Sequence, residues 1–137
     1  MEEAPAQMKL QPLKVLWMAF VGTVAIYIVI AYLLGWEREP ASDLSFMLPI
    51  ASVAAAVVTS FAFLGGKLFA QMEYQSYCIV RWAMAESVGI LGLLLVVLGS
   101  AKNTALAFFV WSLLSFLRLR PTPEDYLQYL RLRDGKK

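Results

Sequence analysis

The sequence predicts an all-α integral membrane protein: a four-helix bundle of spans with a C-terminal amphipathic surface helix. Two observations carry this. The 137-residue chain is 60% apolar and only 16% charged, with a mean hydropathy of +0.64. A typical soluble domain is about 45–50% apolar and about 25% charged. The charges also gather at the chain ends and in short connections, which leaves four apolar runs between them.

Residues 1–12 form a polar, proline-containing arm. The first span is read over 13–34. This run exceeds the ~7–15 residues of a signal-peptide core, and no small-residue cleavage site follows it, so it is expected to be retained. Trp17 marks one end of the span and Tyr32 and Trp36 the other, as aromatic belts do. Lys14 can snorkel to the interface.

The second span is read over 46–70, with Ser45 as N-cap and Pro49 in the first turn. Its middle is rich in small residues, with Ala51 and Ala55 as helix-packing positions. In lipid, such residues let backbones approach closely, and packing drives association. Gly65 and Gly66 are expected to loosen its far end.

The third span is 78–99. At ~1.5 Å per residue it crosses a hydrocarbon core of ~30 Å. Glu86 stands about 12 Å into it, counting from Cys78, and an intramembrane carboxylate marks a functional site by default. Ala85, Gly89 and Gly92 give this helix a small-residue packing surface. The hydrogen-bond partners considered for Glu86 are Ser52, Thr59, Ser60, Ser87, Ser112 and Ser115. Arg81, nearer the helix mouth, is expected to snorkel outward.

The fourth span, 104–117, is short and lies between Lys102 and Arg118. It requires a thin region, snorkelling ends or burial in protein. Residues 118–137 form a basic tail. Thr122-Pro123-Glu124-Asp125 is a helix start, with Thr122 as N-cap and acids in the first turn. The helix that follows is read as amphipathic. Tyr126, Leu127 and Leu130 form its apolar face, and Arg118, Arg120, Arg131 and Arg133 supply the basic contacts to lipid or a partner.

With four spans, Lys9, Lys14, Lys67, Arg81, Arg118, Arg120, Arg131, Arg133, Lys136 and Lys137 share one side, ten of the twelve basic residues. The positive-inside rule then puts both termini in the cytoplasm, in the inner membrane of a bacterium.

The chain has no histidine, which excludes imidazole metal sites and Ser–His or Cys–His catalysis. Its single cysteine, Cys78, excludes an internal disulfide. No phosphate loop, paired carboxylates or metal constellation is present. The expectation is a protein that is not an enzyme, with no metal or cofactor. Its expected partners are membrane lipid and other membrane subunits or copies of itself. The basic residues are explained by topology, so nucleic acid is not expected.

The run Ala85-Glu86-Ser87-Val88-Gly89-Ile90-Leu91-Gly92-Leu93 resembles the carboxylate helix of the rotary ATPase proteolipid, the c subunit, whose common form is A-E-A-I-A-I-Y-G-L-V-V. Glu86 falls on that family's ion-binding carboxylate, and Gly92-Leu93 on its G-L pair. The resemblance covers this helix alone. It implies a proton- or cation-binding site at Glu86, with Ser87 beside it. The alternative is an accessory or assembly subunit in which a protonated Glu86 glues helices together. A third reading is a small multidrug-type transporter, although that family carries its acid in the first span.

Overall fold

The computed structural model describes residues 3–35, 46–99 and 102–135, with side chains from Leu10 onward. Six helices follow in order: α1 Glu3–Leu33, α2 Met47–Leu64, α3 Gly66–Phe69, α4 Tyr74–Val97, α5 Lys102–Arg118 and α6 Pro123–Asp134. No strand occurs among the described residues. Leu10–Leu33, Met47–Leu64 and Tyr74–Val97 are long and apolar enough to cross a membrane. At 17 residues, α5 is about 25 Å long. It falls just short of that measure.

Helix ends follow from local chemistry. α1 runs on into the expected N-terminal arm and takes in Pro12. It ends before Gly35 and α4 ends before Gly99; these glycines have φ of 76° and 83°. A glycine adopts this left-handed conformation without the Cβ penalty, and it closes the last turn. The second apolar run breaks at Gly65 instead of continuing to Ala70, and a separate turn, α3, follows. A Cβ at Gly65 would collide with the Phe61 carbonyl oxygen and the Phe69 ring, so the corner is too tight for a side chain. α4 starts one turn earlier than Cys78, and its Glu73 N-cap residue makes no side-chain capping bond. Thr122 caps α6 as the sequence predicts: its Oγ1 accepts from the Asp125 amide at 3.2 Å. Ser45 and Trp36 lie outside the described residues.

α4 is the central helix. It packs against α5, α2 and α1. Of its most apolar stretch 39% is buried, against 11% for α1 and 17% for α2. The neighbours run in alternating directions. Ala62 of α2 meets Arg81, while Ala51 and Ala55 join Val88 and Leu95. Gly92 faces Ala105 and Phe108 of α5, whereas Trp82 reaches Leu119 just beyond that helix. α2 and α5 are therefore antiparallel to α4. α1 is parallel to it, with Phe20 against Trp82 and Tyr27 against Glu86. The outward faces stay apolar: Val15, Met18, Ile26 and Val29 on α1, and Val53 and Val57 on α2, are exposed. In water such surfaces would mark an interaction face; around helices of this length they match hydrocarbon.

Candidate functional site

Glu86 sits at the middle of α4 and turns toward α1. Tyr27 Oη donates a hydrogen bond to Glu86 Oε1 at 2.8 Å. The pair is half-buried. Its surroundings are small: Ala85 and Gly89 are buried, and a Cβ at Gly89 would stand 3.3 Å from Ser112 Oγ and 3.5 Å from the Tyr27 ring. Gly89 thus makes room for the phenol and for α5 together.

Four of the hydroxyls considered as partners do other work. Ser87 Oγ donates to the Met84 carbonyl at 2.7 Å, inside its own helix. Ser60 and Ser115 likewise bond back one turn, to Ala56 and Trp111. Ser112 donates at 2.7 Å to the Ala85 carbonyl, which fastens α5 to α4 beside the carboxyl. Thr59 Oγ1 is buried with no hydrogen-bond partner among the described residues. Sequence reasoning passed over Tyr27 because it assigned the aromatic residues to the membrane belts. The available signal was position: Tyr27 lies inside the first apolar run, more than a helical turn from Tyr32 and further still from Trp17.

The packing residues are placed as follows. Ala51 and Ala55 are buried against α4. At Gly92 a Cβ would come within 2.9 Å of Phe108 Cβ and 3.2 Å of the Phe109 ring, so α5 lies on the bare backbone.

A second polar cluster lies where α4 and α6 begin and α2 and α5 end. Arg81 does not snorkel. Its Nε donates to the Ala62 carbonyl at 2.8 Å, and one Nη donates to Tyr77 Oη at 3.0 Å and pairs with Asp125 at 3.2 Å. The guanidinium is 11% exposed and the carboxylate 18%. Tyr74 Oη donates to the other Asp125 oxygen at 3.0 Å. In a low-dielectric region a cation with a paired acid and a helix-end carbonyl in reach is better held inside than extended. The sequence separation of 44 residues hid that partner.

Within the chain the tail helix packs on Tyr126, Tyr129 and Leu130. Tyr129 is buried, with its hydroxyl on the Met72 carbonyl at 2.5 Å, while Leu127 is 53% exposed. At about 100° per residue, positions i, i+3 and i+4 share a face and i+1 lies a quarter-turn away. Arg118 lies over the Phe63 ring and Arg120 over Trp17. Arg131 and Arg133 are exposed. Among the described residues no three His, Cys, Asp or Glu side chains converge as metal ligands.

No protein-family model, curated protein or solved structure matches the chain.

Proposed function

We propose that the chain is a four-span inner-membrane protein with both termini in the cytoplasm, working as an oligomer or as a subunit of a larger membrane complex, in which Glu86 and Tyr27 form a site that binds and releases a proton or small cation. The observation that carries this reading is the 2.8 Å bond between Tyr27 Oη and Glu86 Oε1 at the middle of α4. Carboxyls at such depth are costly and mark ion pathways and proton relays. The partner here is a neutral phenol, which can donate to a carboxylate or accept from a carboxylic acid. The pair can therefore keep a hydrogen bond in either protonation state.

The fourth span is supported by packing. α5 runs antiparallel along α4 from Gly92 to Trp82, about 15 Å of that helix. The exposed apolar faces of α1 and α2 leave room for lipid or further subunits. The basic tail helix would rest at the cytoplasmic surface.

A hydrophobic carbodiimide tests the site. Glu86 should be labelled in native membranes, with protection at high pH or by sodium, and Glu86→Gln should abolish labelling. Absence of labelling overturns the reading. A second reading, in which Glu86 is helix glue, is favoured by the bond lying within one chain, between α1 and α4. Under it, Glu86→Gln keeps both assembly and any ion movement across reconstituted vesicles, because the amide retains the hydrogen bond.

A further inference from the structure

A cavity of about 570 Å³ opens where α1, α4 and α6 meet. One side is apolar, formed by Leu10, Leu13 and Leu16 at the start of the apolar part of α1. The other carries opposite charges: Glu73, at the head of α4, and Arg133, on the last turn of α6. Both are exposed, and among the described residues they form no ion pair with each other. Glu73 occupies the N-cap position but makes no capping bond, so its carboxylate is uncommitted there.

We infer that this cavity holds a phospholipid with a zwitterionic primary-ammonium headgroup, of the phosphatidylethanolamine type. The inference rests on the membrane-spanning reading, which puts these span ends at headgroup depth. Its volume lies within the ~300–1,000 Å³ of ordinary ligand sites, enough for a headgroup and the first carbons of its chains. Of the three leucines, Leu16 is partly exposed and meets those chains, with the buried Leu10 and Leu13 behind it. Arg133 supplies a guanidinium to the phosphate, and Glu73 supplies a carboxylate to the ammonium. A choline headgroup has no N–H to give Glu73. Tyr74, Tyr126 and Tyr129 also line the cavity, so the preference for a primary ammonium over choline rests on the N–H donors it offers Glu73. An anionic glycerol headgroup would face Glu73 unfavourably.

The test is reconstitution of the full chain into nanodiscs of phosphatidylcholine mixed with phosphatidylethanolamine, or with phosphatidylglycerol. Mild detergent extraction and mass spectrometry of the retained lipid follow. Phosphatidylethanolamine should be retained at least fivefold over phosphatidylcholine. Glu73→Gln should remove that preference, and Arg133→Gln should lower retention of every phospholipid. Insertion with no enrichment, enrichment indifferent to Glu73→Gln, or preferential retention of phosphatidylglycerol each overturns the proposal. Failure to insert at all overturns the membrane-spanning reading, and the proposal with it.

Discussion

Arg81 and Asp125, 44 residues apart, form an ion pair at 3.2 Å that ties the tail helix to the central helix. Because Arg81 also serves the Ala62 carbonyl, a single side chain joins α2, α4 and α6. Arg81→Met should be strongly destabilising, by about 3–5 kcal/mol, since it strands Asp125 in a site only 18% exposed. The double variant Arg81→Met with Asp125→Leu should recover much of that loss, because no charge is left unpaired. Thermal unfolding in detergent, run as a double-mutant cycle, measures the coupling.

Tyr27→Phe isolates the bond to Glu86, since the ring remains against Gly89. Hydrogen bonds between membrane helices average about 0.6 kcal/mol, so the stability change should be small. Labelling of Glu86 by a hydrophobic carbodiimide should rise, because the phenol no longer covers Oε1. Unchanged stability together with unchanged labelling would show that Tyr27 serves packing alone.

The end of α5 depends on two indoles. Trp17 Nε1 donates to the Phe116 carbonyl at 3.0 Å and Trp82 Nε1 to the Leu119 carbonyl at 2.9 Å. Carbonyls at a helix end lack an intrahelical donor and must be served from elsewhere. Trp82→Phe, at a site 1% exposed, removes a buried donor and should cost about 1–3 kcal/mol. Trp17→Phe should cost less, because its site is only half-buried. Chemical denaturation followed by the circular dichroism of the helices would rank the two.

Local features of the fold were legible because they follow from adjacent residues. The apolar runs, the Thr122 cap and the Gly65 break each depend on a few neighbours. Glu86 stood out because a charge in an apolar run needs no structure to be noticed. Tyr27 did not, since its role depends on which face of α1 meets α4, and α1 is apolar nearly all round. Arg81 was misread for a related reason: snorkelling is the best outcome for a lone helix, and Asp125 reaches it only once α6 folds back. The inward face of α6 was set by Tyr129, a residue whose polar hydroxyl masks how much ring it buries.

Two glycines on different helices give opposite expectations for the same substitution. A Cβ at Gly92 would meet Phe108 Cβ at 2.9 Å and the Ala105 carbonyl oxygen at 3.3 Å. A backbone oxygen and a Cβ cannot swing aside, so α5 must retreat from α4. Gly92→Ala should cost about 1–3 kcal/mol, the range for overpacking a close contact. At Gly22 a Cβ would meet nothing within 4 Å. There the residue is a helical glycine on an open face, and alanine should gain about 0.5–1 kcal/mol through the backbone alone. Unfolding titrations with a denaturing detergent compare the two directly. If Gly22 is in fact covered by a second copy or another subunit, Gly22→Ala should leave the isolated chain stabilised and weaken the assembly, which size-exclusion chromatography would register.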